Sequence, residues 1–225
     1  MTELFLLHTS ELEGAEAFAA AMASVPEARR RKVERLSDEV ARRRSLGAAV
    51  LMARGFAAHG LDPRHVALAE GPHGKPFLAG GGLFFNVSHS GDWVAAAFSA
   101  SEVGVDVEEV GAWREGVAAR VTTAAERAHL AAFPEGAART AEFYRLWTIK
   151  ESFLKYLGTG LATDMRKVEV AAWGPVALRL EGAPQEVAVH EFELPGCKLA
   201  VCGRDATCRR APLPAKGRQG PGFLP

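Results

Sequence analysis

The chain carries only three cysteines, Cys197, Cys202 and Cys208, close together near its end. An odd number at this spacing matches no zinc-ligand pattern and builds no disulfide framework, so free thiols in a reducing compartment are expected. Net charge is also lacking: 27 basic side chains meet 27 acidic ones. That balance removes the global electrostatic footprint of a nucleic-acid-binding protein. No apolar run approaches the ~20 residues a membrane-spanning helix needs. The apolar opening from Met1 to His8 has no basic flank, so no signal peptide is expected and the expected location is cytoplasmic. What remains is a chain of 225 residues, 48% hydrophobic, long enough for one large or two small packed domains.

The even total hides local charge. Arg29, Arg30, Arg31, Lys32 and Arg35, then Arg42, Arg43 and Arg44, stand against only Glu34, Asp38 and Glu39. Such a run is either a solvated helix face or a patch for an anion. Carboxylates gather later, between Glu102 and Glu109.

Leu4 to Leu7 reads as a strand and Ser10 to Ala23 as a helix. Pro26 opens a second helix, and Ser37-Asp38-Glu39 caps a third from Val40 to Ala58. Leu83 to Val87 and Trp93 to Phe98 flank Ser88-His89-Ser90-Gly91-Asp92, a hairpin signature, and Glu102 to Val110 is a further strand. In the second half, Ala118 to Phe133 and Ala141 to Leu157 read as helices. Lys167 to Ala172, Val176 to Leu180, Val187 to Phe192 and Lys198 to Cys202 read as strands. The closing pair, turning at Pro195-Gly196, echoes the earlier hairpin. The expected architecture is therefore α+β with two similar lobes, residues 1–101 and 102–208. The Pro- and Gly-rich tail, 209–225, is expected to be disordered.

Four segments carry chemistry. In Val103-Gly104-Val105-Asp106-Val107-Glu108 the valines face one side of a strand and Asp106 and Glu108 the other, ~6–7 Å apart along it. Two carboxylates so placed either converge on a hard cation such as magnesium or simply face solvent at a sheet edge. In Phe143 to Gly158, Leu146, Ile149, Phe153, Tyr156 and Leu157 form an apolar stripe, while Glu151 and Lys155 share the opposite face, with Trp147 one turn before. Lys150 falls at the edge of the stripe, where a lysine either snorkels or enters a cleft. Ser88 and His89 sit at the hairpin, but no Gly-x-Ser-x-Gly elbow accompanies them. Gly71 to Pro76 offers Lys75, yet Pro76 stands where a phosphate loop needs Ser or Thr.

In this order the segments GKP (74–76), FNVSHSGDWV (85–94), VGVDVE (103–108) and LWTIKESFLKYLGTGL (146–161) resemble the Sfp-type phosphopantetheinyl transferases. The resemblance spans about Arg29 to Gly203. It implies a pseudo-dimeric monomer with its active site at the lobe junction. The implied activity is magnesium-dependent transfer of the 4'-phosphopantetheine arm of coenzyme A to a serine of an acyl- or peptidyl-carrier protein, releasing adenosine 3',5'-bisphosphate. By position, Asp106, Glu108 and Glu151 correspond to magnesium ligands. Glu151 also corresponds to the residue that deprotonates the carrier serine, and Lys155 to the charge partner of the diphosphate. Lys75, Ser88 and His89 correspond to coenzyme A contacts, and Arg31 with Arg43 or Arg44 to its phosphate contacts. Glu126 matches an acidic site position without a derivable role. The carrier is expected to dock along Val117, Val121, Leu130 and Phe133, with Arg120 and Arg127 as a weak charged rim. Two alternatives stand beside this reading: a magnesium-dependent nucleotide or coenzyme A phosphohydrolase, and an inactive carrier-binding module, which would be expected to lack Glu151 or Lys155.

Overall fold

The computed structural model describes residues 1–211. In chain order the elements are β1 (Thr2–His8), α1 (Ala15–Ala23), α2 (Glu27–Glu34), α3 (Glu39–Ala58), β2 (Leu68–Glu70), β3 (Pro76–Leu78), β4 (Phe84–Ser90), β5 (Trp93–Ser99) and β6 (Val103–Glu109). Then follow α4 (Glu115–Val121), α5 (Ala124–Ala131), α6 (Ala137–Leu157), β7 (Val168–Trp173), β8 (Val176–Leu180), β9 (Ala183–Pro184), β10 (Ala188–Leu194), β11 (Cys197–Gly203) and β12 (Cys208–Arg210). The mixed α+β class is as expected.

Two sheets organise the molecule, in strand orders β12-β1-β5-β4 and β10-β11-β6. Period-two alternation sorts their side chains into layers. Phe5 and Leu7 of β1, with Val94, Ala96 and Phe98 of β5, pack under Leu46, Val50 and Phe56 of α3. The opposite face of the same strands presents Leu4, Leu6, Ala95 and Ala97 to Val103, Val105 and Val107 of β6 and to Leu199 and Val201 of β11. The far face of the second sheet is covered by α6, through Leu146, Ile149, Phe153 and Leu154. The order is helix, sheet, sheet, helix, and β6 lies at the middle of the stack.

Gly104 sets the distance between β6 and α6. A Cβ there would fall 2.0 Å from the Ser152 carbonyl oxygen and 2.3 Å from the Tyr156 nitrogen. Only glycine lets the helix backbone come this close, which brings the next residues on that face, Asp106 and Glu108, under the helix.

Several expectations are corrected. The helix expected over 118–133 is two helices broken at Thr122-Thr123. Thr123 caps α5, its hydroxyl accepting from the Glu126 nitrogen while the Glu126 carboxylate accepts from the Thr123 nitrogen. The stripe expected on α6 is too narrow, because Thr148 to Leu154 is buried on every side. The reason is packing against β6 and β11 on one flank and α5 and β7 on others. Val121 and Leu130 belong to the core beneath α6 and not to an outward docking face. The chain also stays ordered past Arg209: β12 pairs in parallel with Thr2 to Leu4 of β1, and Ala211 is buried. The rest of the expected tail, 212–225, lies outside the described residues. The three cysteines are free thiols. No helix among the described residues is long and apolar enough to cross a membrane.

Candidate active site

Strand β6 and helix α6 bring the acidic residues together. Asp106 is 2% exposed and Glu151 8%. The Lys155 ammonium donates to Asp106 Oδ1 at 2.6 Å and to Ser88 Oγ at 2.9 Å. The Ser88 hydroxyl in turn donates to Asp106 Oδ1 at 2.9 Å, and the Ser90 hydroxyl donates to Glu108 Oε2 at 2.9 Å. The other Asp106 oxygen, Oδ2, is buried without a hydrogen-bond partner among the described residues.

Burial pushes the Asp106 carboxyl up from its ordinary range, opposed by Lys155 and Ser88. Glu108 is raised by burial and by the Asp106 charge, while Ser90, Lys155 and Trp147 pull it back. Glu151 is pushed up to about 7, by burial first and then by Asp106 and Glu108, against the pull of Lys155. Three carboxylates thus share one poorly solvated space with a single lysine among them. Their mutual repulsion is the cost that a bound cation would remove.

Among the described residues, no group of three or more His, Cys, Asp or Glu side chains is placed so that together they could hold a metal ion. Magnesium does not demand one. It takes hard oxygen donors, usually one or two carboxylates, and fills its octahedron with waters and substrate phosphates. The unpartnered, buried Asp106 oxygen, with Glu108 and Glu151 near enough to feel its charge, is the kind of hard donor that fits that ion.

The coenzyme-binding candidates separate into two places. His89 is exposed at the hairpin. Partial desolvation, then Arg44, then Lys155 and Lys32 hold its ring below the usual imidazole range. Arg44 reaches the same hairpin, its Nε donating to the Gly91 carbonyl at 2.6 Å. Arg31 pairs with Glu27, and Arg43 with Glu39 at 3.3 Å and Glu13 at 3.9 Å. Lys32, in the same helix as Arg31, was not singled out in the sequence because every position of that basic run looks alike. Ser88 is buried, and its hydroxyl is bonded within the protein to Asp106, Lys155 and the Val107 nitrogen. Lys75 lies elsewhere: its ammonium bonds Glu102 at 2.7 Å, the Val103 carbonyl at 3.1 Å and the Tyr156 carbonyl at 3.3 Å. It ties the loop before β3 to the start of β6 and the end of α6. Beside it opens a cleft of about 340 Å³, walled by Pro72, Pro76, Phe77, Phe84 and Leu157.

Lys150 and Glu126, undecided in the sequence, form a fully buried pair at 2.7 Å. Lys150 also donates to the Val121 carbonyl, and Glu126 accepts from the Val170 nitrogen at 2.9 Å. This pair stands on the flank of α6 away from Asp106 and locks α5, α6 and β7 together.

A family profile described as the 4'-phosphopantetheinyl transferase superfamily matches residues 102–202, and one described as 4'-phosphopantetheinyl transferase, N-terminal, matches residues 14–101. The chain is 32% identical over 187 residues to a 4'-phosphopantetheinyl transferase of Bacillus subtilis, covering 80% of this chain and 83% of that one. It is 33% identical over 146 residues to the 4'-phosphopantetheinyl transferase Sfp of Bacillus subtilis strain 168, covering 63% and 65%. Identity to the 4'-phosphopantetheinyl transferase psf-1 of Bacillus pumilus is 31% over 168 residues, covering 73% and 72%.

Proposed function

The chain belongs to the Sfp-type 4'-phosphopantetheinyl transferases, and from that premise we propose that it moves the phosphopantetheine arm of coenzyme A onto a carrier-protein serine with magnesium, releasing adenosine 3',5'-bisphosphate. The observation that carries the metal reading is the orphaned Asp106 Oδ2 in a space shared with Glu108 and Glu151.

Asp106, Glu108 and Glu151 are the residues that would hold magnesium, which supplies neutralisation of the diphosphate when bound. Glu151 is the residue that would take the proton of the carrier serine hydroxyl as that oxygen attacks the pantetheine-side phosphorus. Lys155 keeps its ammonium against Asp106 and is the cation that meets the diphosphate oxygens. His89, Arg44 and Lys32 receive the 3'-phosphate, and an anion there favours the protonated ring of His89, which partial burial first and then Arg44 and the lysines otherwise disfavour. Arg31 and Arg43 supply the outer charge of that patch. The apolar cleft beside Lys75 suits a flat base, with Lys75 shaping its wall. Residues 1–101 and 102–208 act as two related lobes, with this chemistry at their junction, and the enzyme works as a cytoplasmic monomer.

The test is mass spectrometry of an apo-carrier protein incubated with coenzyme A and magnesium. The expected result is one added phosphopantetheine mass per carrier, lost in Asp106→Ala and Glu151→Ala. Phosphate or nucleotide release without a carrier would replace the transferase by a hydrolase.

A further inference from the structure

Strands β4 and β6 are edge strands of different sheets, and they run side by side without a backbone ladder between them. The N–H groups of Val105, Val107 and Glu109 point at β4 and would otherwise be orphans. Each finds a side chain instead. Asn86 Oδ1 accepts from Val105 N at 2.9 Å, Ser88 Oγ from Val107 N at 3.3 Å and Ser90 Oγ from Glu109 N at 3.0 Å. The acceptors are two residues apart, as are the donors, so the contact repeats with the strand period.

The two serine rungs do more than fill an edge. A hydroxyl has one proton to give. On each rung the backbone N–H takes a lone pair, and the hydroxyl proton goes to the carboxylate one residue earlier on β6: Ser88 to Asp106, Ser90 to Glu108. The offsets are identical, 19 residues to the N–H and 18 to the carboxylate. Ser90 is itself fixed, because the following turn is held by Arg44 on the Gly91 carbonyl and by Thr9 on both the Asp92 carbonyl and its carboxylate.

We propose that Ser90 is a positioning residue that aims the Glu108 carboxylate, through a side-chain register between β4 and β6 in which Ser88 does the same for Asp106. The inference rests on Glu108 being a metal ligand, and its test separates the two ideas. Groups that orient metal ligands typically change metal affinity about 10–100-fold when removed. In Ser90→Ala, calorimetric titration should show magnesium binding weakened about tenfold or more, and exchange of the Glu109 amide should speed up in metal-free protein. The KM for coenzyme A and the melting temperature should stay near those of the parent. Ser90→Thr keeps the hydroxyl and should restore both magnesium affinity and amide protection. Faster Glu109 exchange with unchanged magnesium affinity would overturn the positioning role alone, whereas unchanged magnesium affinity in Glu108→Gln would overturn the assignment of Glu108 as ligand. Unchanged exchange would overturn the register itself, whatever the metal does.

Discussion

Removing Glu126 should be among the costliest single changes in this protein. Its carboxylate is the acceptor for the Thr123 nitrogen at 2.8 Å, the Val170 nitrogen at 2.9 Å and the Lys150 ammonium at 2.7 Å. Lys150 is 0% exposed, and burial alone already pushes its ammonium below the usual lysine range, with Glu126 as the main restoring influence. Glu126→Ala strands that cation with one carbonyl, from Val121, and orphans two backbone donors. Breaking one side of a buried ion pair costs about 3–5 kcal/mol. That is a large part of the roughly 5–15 kcal/mol by which a domain of ordinary stability stays folded. In guanidinium denaturation the midpoint should fall by about 1 M. Lys150→Met should also destabilise, though less, because Glu126 keeps its two backbone donors. The double variant Glu126→Ala/Lys150→Met removes both charges and leaves the Thr123 and Val170 N–H groups and the Val121 carbonyl without these partners, at about 1–3 kcal/mol each. Its loss should therefore be smaller than the sum of the single losses. Strict additivity across the cycle, or a Glu126→Ala midpoint within error of the parent, would refute the idea that this pair is a mutually dependent lock.

Four further outcomes follow from the geometry. Gly104→Ala should lower stability by about 3 kcal/mol in thermal denaturation, since its Cβ would sit 2.0 Å from the Ser152 oxygen; a parent-like melting point would disprove the close helix approach. With the Glu151 carboxyl pushed up to about 7, protons compete with the metal, so magnesium affinity should weaken as pH drops from 8 to 6; a pH-independent titration would remove Glu151 from the ligand set. The raised carboxyl also means the folded, metal-free protein holds a proton that the unfolded chain has lost, so its melting temperature should fall as pH rises from about 5 to 7. Truncation after Thr207 removes β12 and the Arg209–Glu3 ion pair and should lower the melting temperature by about 5 °C, whereas an unaltered value would show that this strand adds nothing.

Much of the arrangement is readable from local pattern. The valine–acid alternation of β6 puts its valines in the central core and its acids under α6, because a strand's period of two leaves no other option. The long basic helix, its Asp38 cap and the β4–β5 hairpin follow from cap and turn chemistry. The misses have physical causes. The α6 stripe fails because a helix packed on several sides buries residues all round, and Lys150 is admitted through its partner Glu126. The break at Thr122-Thr123 was marked by a capping box, hidden inside a run of good helix formers. Asn86, Ser88 and Ser90 show their spacing in the sequence, but nothing local says that their shared face meets a strand of another sheet. Strand β12 is three residues with no pattern, created by a partner at the other end of the chain.

That last pairing has a bearing on how the chain is made. Thr2 Oγ1 donates to Asp205 across a sequence separation of 203 residues, and Arg209 to Glu3 across 206. Strand β1 is completed by a strand made about 200 residues later. At about 5–20 residues per second, β1 waits on the order of 10–40 s with one edge open, shielded on its other side once β5 emerges. An open edge is a template for pairing with another nascent chain. The short final strand thus acts as a seal on the timing of synthesis as much as on the finished sheet, and premature release before Cys208 would be expected to show up first as aggregation, not as lost chemistry.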